Sequence, residues 1–600
     1  MNNSLHWDLE SILENSTLDE LKDKYFQQNE EILNLFKENI FSSKEKLIFF
    51  HALSLRQQIT SNRLFNYLSN KHNEDLSNNQ WFGLMQEIQT KSIPFMQAMS
   101  SFSDQAIKNK ENILEFLKDP QLAPHQRSYE LIFKYEKHDL PPDIKSFSAT
   151  YSPLSSCFSS IFTLILDKEL KVKTVKDSNN NKHELPNYAA FIKTQTDNDR
   201  KLRKNAYLAW HEAVHSSRES LARLMYYNFL EQNIDAKNSN FPGGYYEASA
   251  YADEIPLTFI PALYERVKGF STLWRKYRRI FRELLKKNYQ LKLLQPWDLR
   301  MPIIKKEDQN ITIEEAKTLT LEALQILGPE YINNISKALN ERWIDWEARK
   351  DKLSGAYCIS GSYGLEKKYI LMNYNSKLED VYTLVHELGH AMHALEYCKY
   401  QSHYAGTTIF IAEIPSTLNE LLLSYHLIKK YQNDTHKLLE VYDNLISGFF
   451  STTLSQIIFS EWEYEVNQLI NNGAVLDADL AENIFREKQE KYYGKKPKLT
   501  PLRKKALTSI LTVPHFYSEE FYVYKYSVGQ VVSLLIAEKI KNDAEYISKF
   551  FEFLRAGNSL SNLDTIKILD IDLEKATTWK TVKKVVKEWL EEYEQLSKKI

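Results

Sequence analysis

The sequence predicts a mainly α-helical protein with a few short β elements. Its 600 residues include only 15 glycines and 17 prolines, fewer than a turn-rich β architecture of this length would use. Long stretches place apolar residues three and four positions apart, which is the spacing of one face of an α-helix. Apolar residues make up 43% of the chain, enough for a large buried core.

The elements can be followed in chain order. Residues 1 to about 150 read as successive amphipathic helices, with a helix start indicated at Thr17, where Asp19 and Glu20 follow. Near residues 170–185, an alternating run, the turn-forming segment Asp177–Asn181 and a second extended piece predict a β-hairpin. Helical patterns then resume. We predict two regions: residues 1–195, an N-terminal helical lobe that contains the hairpin, and residues 196–600.

The composition excludes several classes of partner. The formal net charge is −2 and the isoelectric point is about 6.8, so nucleic acid and anionic membranes are not expected partners. Cys157, Cys358 and Cys398 are too few for a disulfide framework and suit a reducing compartment. No basic stretch followed by an apolar run opens the chain, and no run of about 18 apolar residues exists. We therefore expect a monomeric, cytoplasmic protein without a membrane partner.

The most specific motif is the His-Glu-x-x-His sequence formed by His386, Glu387 and His390. On a helix, the two histidines lie on one face, about one turn apart. Two imidazoles at this spacing can bind one zinc ion, and the adjacent Glu387 can act as general base for a water that the metal activates. The alternative is a chance match among the 15 histidines of the chain.

The residues around the motif predict that it lies on a helix. Ser376 and Glu379 have the Ser-x-x-Glu spacing of a capping box, which would start the helix. Apolar residues then follow at alternating intervals of three and four. They are Leu378, Val381, Val385, Leu388, Met392 and Leu395. The histidines lie beside this stripe, so we expect the metal site to border the core.

A catalytic zinc needs a third protein ligand, and two glutamates are candidates. Glu396 would lie about 9 Å along the same helix from His390 and on another face, so we reject it. Glu413 and Glu420 are seven residues apart on a second helical pattern and share one face. We predict Glu413 as the third ligand and Glu420 as the group that holds a ligand histidine by its other nitrogen. The alternative for each is a surface glutamate.

The segment Tyr369–Asn375 is predicted to be a strand that leads into the motif helix. A strand beside such a metal site can offer its edge to an extended peptide, which then pairs with it as an added strand. The alternative is an ordinary core strand. We favour the edge interpretation.

Three segments together resemble the M3 family of zinc oligopeptidases, most closely its bacterial oligoendopeptidase F branch. They are His386–His393, Glu413–Glu420 and Pro514–Tyr526, with further similarity through Ile370–Tyr374 and Phe553–Gly557. The resemblance implies a mainly helical, two-lobed fold with a deep central channel and one zinc ion per chain at its floor. It also implies that residues 196–600 form the catalytic domain.

The resemblance also assigns roles to His515, Tyr517 and Tyr524. In the family, the matching positions contact the substrate and the oxyanion that forms when water attacks a peptide carbonyl. A tyrosine is protonated near neutral pH and can donate to that oxygen, and a histidine can bind a carbonyl or transfer a proton. The alternative is packing, since the chain has 36 tyrosines. Phe521, Tyr522 and Tyr526 are predicted to pack.

The sequence thus predicts a zinc endopeptidase that hydrolyses short, unstructured oligopeptides. His386, His390 and Glu413 are the predicted ligands, and Glu387 is the predicted general base. A zinc carboxypeptidase or dipeptidase would use the same ligands but add a subsite that captures a chain terminus. A non-catalytic peptide-binding protein would not need Glu387, and a structural zinc site would close the fourth position.

Overall fold

The computed structural model describes residues 5–141, 144–145, 157–304, 310–494 and 500–600. Most of these residues lie in α-helices, with five short strands, which confirms the mainly helical prediction. Within the described part of the chain, no helix combines the length and apolar character that a membrane span requires.

The helices are numbered along the chain. Those before residue 304 are α1 (Leu18–Lys37), α2 (Lys44–Glu74), α3 (Asn79–Met99), α4 (Phe102–Lys108), α5 (Lys110–Phe116), α6 (Gln126–Tyr135), α7 (Cys157–Thr163), α8 (Tyr188–Gln195), α9 (Arg200–Ser216), α10 (Arg218–Asn238), α11 (Tyr245–Ala252), α12 (Phe259–Lys268) and α13 (Ser271–Asn288). Those after residue 310 are α14 (Ile313–Leu324), α15 (Pro329–Asn340), α16 (Leu378–Tyr400), α17 (Ile409–Lys430), α18 (Thr435–Phe450), α19 (Gln456–Asn471), α20 (Ala478–Tyr493), α21 (Pro501–Leu507), α22 (His515–Ser518), α23 (Tyr524–Asn542), α24 (Ile547–Ala556), α25 (Asn562–Lys567) and α26 (Ala576–Ser597).

Capping side chains fix where several helices begin. Thr17 and Thr312 each start a helix with a full capping box, in which the threonine hydroxyl accepts the N–H of the glutamate three residues later. That glutamate's carboxylate accepts the threonine N–H in return. The helix start predicted at Thr17 is therefore confirmed. Asp434 and Asp477 cap α18 and α20 by accepting N–H groups of the first turn.

Contacts between Cα atoms divide the chain into two compact units. Unit 1 comprises Met1–Lys137, Gln309–His426 and Ile536–Ile571. Unit 2 comprises His138–Asp308, Leu427–Leu535 and Asp572–Ile600. Each unit gathers three separate stretches of the chain. The boundary at residue 195 drawn from the sequence is a different division, and it stays a prediction.

Unit 1 contains a small sheet that rests on the N-terminal residues. Trp7, Leu64, Tyr369 and Leu371 belong to one buried cluster. Burying a large apolar side chain contributes about 1.5–3 kcal/mol, so this cluster holds the sheet firmly against α1 and α2. The Tyr369 hydroxyl also donates to the backbone oxygen of Asp8 at 2.7 Å. The sheet, in turn, leads into the motif helix.

The sheet consists of β3 (Ile344–Glu347), β4 (Tyr357–Cys358) and β5 (Ile370–Tyr374), in the order β3-β5-β4. The predicted strand at residues 369–375 is confirmed as β5. The prediction that its edge is open to a peptide is wrong, because β3 pairs with it in parallel and β4 pairs with it antiparallel. β5 is therefore the core strand that was the alternative, and β3 and β4 are the outer strands.

Unit 2 contains the predicted hairpin. β1 (Val175–Lys176) pairs with β2 (Lys182–His183) in antiparallel fashion. In the turn between them, Asp177 Oδ1 accepts the N–H groups of Asn179 and Asn181, both at 2.9 Å. The hairpin prediction is confirmed, although each strand is only two residues long.

Candidate metal centre and active site

α16, the helix that carries His386 and His390, begins after Lys377. The predicted capping box of Ser376 and Glu379 is wrong, because Ser376 has a φ of 62° and an N-cap residue needs an extended backbone. Instead, the carboxylate of Asp380 accepts the N–H groups of Lys377 at 2.9 Å and Asn375 at 2.8 Å. The acidic residue that starts the helix is thus one position later than predicted.

Four of the six residues in the apolar stripe of α16 are buried, whereas Leu378 and Leu395 are partly exposed. Val381, Val385 and Leu388 are fully buried, and Met392 is 1% exposed. His386 and His390 lie beside this stripe and are partly exposed. The two imidazoles are therefore held on a core-packed helix that does not enclose them completely.

α16 and α17 meet main chain to main chain at Gly389. A Cβ atom there would lie 2.5 Å from Ser416 Cα and 2.7 Å from Pro415 O, so a larger residue would push the helices apart. Asn419, buried between the helices, donates from Nδ2 to the carbonyl of Val385 at 2.9 Å. This close crossing brings the first turns of α17, with Glu413, to the histidines of α16.

His386, His390 and Glu413 form a compact triangle of donor atoms. The two histidine Nε2 atoms are 3.2 Å apart, and Glu413 Oε2 lies 3.4 Å from His386 Nε2 and 3.7 Å from His390 Nε2. Donors about 2.0–2.1 Å from a tetrahedral zinc ion would be about 3.3–3.4 Å apart. The three side chains could therefore hold a metal ion, and both their chemistry and their spacing fit zinc.

The other side of each imidazole is also held. His386 Nδ1 lies 2.5 Å from Glu420 Oε1, the contact predicted for this glutamate. His390 is hydrogen-bonded to the backbone of Ala412. These contacts orient the rings and leave both Nε2 atoms directed at the triangle.

The carboxylates set the protonation of this cluster. Burial favours neutral His386, but hydrogen bonds with Glu413 and Glu420 outweigh burial and raise its pKa to about 10. Burial and the neighbouring His386 lower the pKa of His390 to about 4. Burial opposes ionisation of Glu413, but the two histidines lower its pKa to about 2. Glu413 is therefore a carboxylate at neutral pH, the charge state in which it can bind a cation.

Glu387 is buried beside the triangle, with 7% of its surface exposed. Burial raises its pKa to about 7, although the positive charge of His386 and a hydrogen bond from the Cys358 backbone act in the opposite direction. Cys358 belongs to β4, so an outer strand of the sheet orients this carboxylate. A carboxylate with a pKa near neutrality is well matched to proton transfer.

Glu396, the rejected ligand candidate, is buried but faces another partner. Its Oε2 accepts a hydrogen bond from Arg555 Nε at 2.7 Å. Arg555 lies in the last turn of α24. This ion pair accounts for the buried carboxylate without a metal, in agreement with the argument from helix geometry.

Tyr524 lies in unit 2, where it is fully buried. Its hydroxyl donates to Asp253 Oδ2 at 2.6 Å, and Lys525 Nζ donates to Asp253 Oδ1 at 2.9 Å. Burial and the charge of Asp253 raise the pKa of Tyr524 well above its usual value, so the phenol is neutral. Sequence reasoning missed Asp253, because it lies 271 residues from Tyr524 and in no recognisable motif.

Tyr517 has the environment of a packing residue in unit 2. Its ring stacks on Phe162 with the centroids 4.1 Å apart, and its hydroxyl donates to the carbonyl of Leu511 at 2.8 Å. Burial raises its pKa well above the usual value. Its predicted contact with substrate stays a prediction.

His515 is the most exposed of the three residues assigned by resemblance. Its Nδ1 lies 3.7 Å from Glu519 Oε2, and burial lowers the pKa of its imidazole. Tyr522 stacks on this ring with the centroids 5.0 Å apart, and the Tyr526 ring is 5.9 Å away. Both tyrosines are partly exposed rather than buried, so they form an aromatic surface around His515 that sequence reasoning assigned to packing. In the sequence, this surface could have been inferred from the four-residue spacing of Tyr522 and Tyr526.

Comparisons with known proteins cover nearly the whole chain. The profile of peptidase family M3 matches residues 194–584. An oligoendopeptidase F homolog of Mycoplasma genitalium is 33% identical over 100% of both chains, and the oligopeptidase PepF of Bacillus subtilis is 26% identical over 99% of this chain and 87% of its own. The crystal structure of a Chlamydophila abortus protein superposes on this chain with a TM-score of 0.85, at 26% identity and over 99% of each chain. An oligoendopeptidase-F from Enterococcus faecium has the same fold, with a TM-score of 0.73 at 22% identity over 97% and 99% of the two chains.

Proposed function

Because the chain belongs to peptidase family M3, we propose that it is a zinc-dependent endopeptidase that hydrolyses short, unstructured oligopeptides. Peptidase activity follows from the family. The metal, the internal position of the cleaved bond and the role of each residue are parts of the proposal.

The observation that carries the proposal is the triangle of His386 Nε2, His390 Nε2 and Glu413 Oε2, whose sides are 3.2 to 3.7 Å long. Three protein ligands leave a fourth tetrahedral position for water or substrate, which is typical of a catalytic zinc site. A zinc ion bound there would supply a Lewis acid that acidifies water and polarises a peptide carbonyl. We propose one zinc ion per chain.

Glu387 is the proposed general base. Its position on α16 beside the ligands lets it accept a proton from the attacking water and later deliver that proton to the leaving amine. The hydrogen bond from the Cys358 backbone orients the carboxylate for both steps. A group of this kind typically contributes about 10²–10⁴-fold to the rate.

His515, Tyr517 and Tyr524 are the proposed contacts for the substrate and the developing oxyanion, an assignment that rests on the family resemblance. The neutral phenol of Tyr524 could donate to an oxyanion only by giving up its hydrogen bond to Asp253, so this donor role rests on the family resemblance. The partly exposed imidazole of His515 supports a contact with a substrate carbonyl. For Tyr517, the buried hydroxyl bonded to Leu511 supports packing more directly than catalysis.

The proposed substrates are extended peptides that enter a deep channel of the catalytic region, residues 196–600. A substrate strand that paired with the sheet of unit 1 would have to use an outer strand, β3 or β4, because β5 is occupied on both sides. Backbone pairing of this kind tolerates many side chains, so we expect broad sequence selectivity. Free thiols at Cys157, Cys358 and Cys398 support a cytoplasmic location, and we propose a monomer.

Metal analysis combined with a peptide ladder tests this proposal. We expect about one zinc per chain and internal cleavage of peptides of roughly 6 to 20 residues, the extended length that a domain-sized channel can house at about 3.3 Å per residue. A stably folded protein should resist. Fragments are read by mass spectrometry, before and after zinc is removed with a chelator and restored. Release of terminal residues only, rapid digestion of the folded protein, or full activity without metal would contradict the proposal.

A further inference from the structure

Unit 2 contains a second candidate site, formed around a basic face of α13. Trp274, Arg278, Arg282 and Lys286 follow one another at intervals of four residues, so they lie along one side of this helix. The opposite side is buried, with Tyr277, Ile280 and Leu284 among its core residues. The amphipathic character of α13 thus comes from an arginine-rich face set against an aromatic and aliphatic one.

This basic face forms one wall of a cleft of about 560 Å³. Arg486 and Tyr493 on α20 and Arg503 on α21 contribute to the other walls, together with Leu299. Seven cationic side chains line the cleft, against two acidic ones, Glu283 and Glu490. This concentration of positive charge is local, because the chain as a whole has a formal charge of −2. We call this site the cationic cleft.

Arg279 has an acidic partner, Glu594 at 3.8 Å, but four other arginines of the cationic cleft have none in the described part of the chain. Among the described residues, no carboxylate lies within ion-pair distance of Arg278, Arg282, Arg486 or Arg503. Arg486 Nε is buried, and no hydrogen-bond acceptor among the described residues contacts it. The Arg278 guanidinium lies over the rings of Trp274 and Phe281, 5.3 and 4.8 Å from their centroids, and burial lowers its pKa.

Such an arrangement is unfavourable in the free protein. Like charges four residues apart on a helix repel each other and destabilise it, and α13 contains the pairs Arg278–Arg282 and Arg282–Lys286. An N–H group buried without an acceptor also destabilises the folded state, because its hydrogen bond to water is lost and not replaced. A bound anion would remove both penalties, because it would accept the free hydrogen bonds and neutralise the repulsion.

We propose that the cationic cleft binds a small ligand that carries a chain of phosphate groups, such as inorganic tripolyphosphate or a nucleoside triphosphate. Guanidinium groups on α13, α20 and α21 can each form paired hydrogen bonds with phosphate oxygens, a geometry that lysine does not provide. The volume falls within the range of about 300–1,000 Å³ that is usual for small-molecule sites. The partly exposed rings of Trp274 and Tyr493 also line the cleft and can stack on a nucleobase.

Equilibrium dialysis of the full-length enzyme tests this proposal with tripolyphosphate, ATP and adenosine as probes. We expect saturable binding of both triphosphates and none of adenosine. Zinc content is measured on the same samples, because triphosphates chelate zinc. ATP binding at least tenfold tighter than tripolyphosphate would identify a nucleoside ligand, whereas equal affinities would identify the phosphate chain alone. Failure of both triphosphates to bind, or adenosine binding as tight as ATP, would overturn the proposal.

A pair of double variants separates this site from general charge effects. Arg282→Gln combined with Arg503→Gln removes two exposed guanidiniums from different walls of the cleft, and we expect at least tenfold weaker triphosphate binding. The matched control is Arg223→Gln combined with Lys583→Gln, which removes two exposed charges of unit 2 outside the cleft. Circular dichroism and melting temperature establish that both variants fold. Equal weakening in the two double variants would refute a specific site.

Discussion

The metal-ligand region of unit 1 and the tyrosine segment of unit 2 differ in where their functional groups find partners. Around the metal ligands, α16 and α17 supply the partners themselves, such as Glu420 for His386. In the tyrosine segment, Tyr524 is bonded to Asp253, which comes from a distant stretch of the chain. The first arrangement follows from spacing on two neighbouring helices, and the second depends on the tertiary fold.

Residues at helical spacing on neighbouring helices are easier to assign from sequence than a tyrosine whose partner is distant in the chain. A set of residues at helical spacing can be assembled only in a few ways, so geometry follows directly from sequence. A tyrosine, by contrast, can serve packing or chemistry, and only its surroundings distinguish the two. Substitutions in the two regions distinguish these possibilities.

The Glu387→Gln variant tests whether the metal region is catalytic rather than only a binding site. Glutamine keeps the size of the side chain but cannot accept the proton, so we expect kcat to fall by about 10²–10⁴-fold. Zinc content should stay at one per chain, because Glu387 is not a proposed ligand. A fully loaded variant with near-normal kcat would exclude the general-base role.

The Glu413→Ala variant tests the third ligand. Loss of a group that only orients a ligand typically costs about 10–100-fold in metal affinity, so loss of a ligand should cost more than about 10²-fold. Glu396→Ala is the control, since Glu396 is paired with Arg555. Zinc retained after dialysis is measured for both. Zinc loss from Glu396→Ala alone would reverse the assignment.

The Tyr524→Phe variant addresses the other side of the comparison. If the hydroxyl stabilises the oxyanion, kcat should fall by about 10²-fold with little change in KM. Tyr492→Phe is the control, because Tyr492 also donates a buried hydroxyl to a carboxylate of unit 2, that of Glu461. Unchanged kcat in Tyr524→Phe, or equal losses in both variants, would assign Tyr524 to packing.

The Glu420→Ala variant tests whether the contact that α17 supplies to His386 contributes to zinc affinity. Glu420 holds His386 by Nδ1, so its removal should weaken zinc affinity by about 10–100-fold and leave the fold intact. Competition with a zinc chelator measures the affinity. Wild-type affinity in this variant would mean that the His386–Glu420 contact does not orient the ligand.

A pH titration compares two tyrosine–aspartate pairs in unit 2. Tyr277 and Tyr593 both donate to Asp443 Oδ1, and burial raises the pKa of this carboxyl from its usual value of about 4 to about 6. The folded state therefore binds the proton more tightly than the unfolded chain. This stabilisation is fully present below about pH 4 and is lost as the pH rises through about 6.

The Asp443→Asn variant isolates that effect, because the amide oxygen can still accept from both tyrosines without titrating. We expect urea unfolding of the wild type to show a decline in stability between pH 4 and 6 that is smaller in the variant. Asp253→Asn is the comparison, since Lys525 lies beside Asp253 and compensates its charge. An identical pH dependence in wild type and Asp443→Asn would remove Asp443 as its source.

The sequence predicted the features that depend on local spacing. The helical class, the hairpin at Asp177, the strand β5 and the group formed by His386, His390 and Glu413 all follow from patterns within short segments. The metal-ligand roles themselves stay predictions.

Features set by distant pairing were not predicted. Neighbouring strands are chosen by the fold, so the central position of β5 could not be read from residues 369–375. The N-terminal signal of α16 was misplaced because a left-handed residue at Ser376 is invisible in the composition of the segment. Asp253 carries no pattern that links it to Tyr524.

Gly389 gives the metal triangle a mechanical property. Since no side chain separates α16 from α17 at this crossing, the distance between their axes is fixed by main-chain contact with Pro415 and Ser416. The backbone positions of His390 and Glu413 can therefore move apart only if the two helices separate. We expect metal binding and helix packing to be coupled. On heating, metal release and separation of this helix pair should occur in one transition. Gly389→Ala would increase the distance between the axes of α16 and α17, and the melting temperature and zinc affinity should decline together.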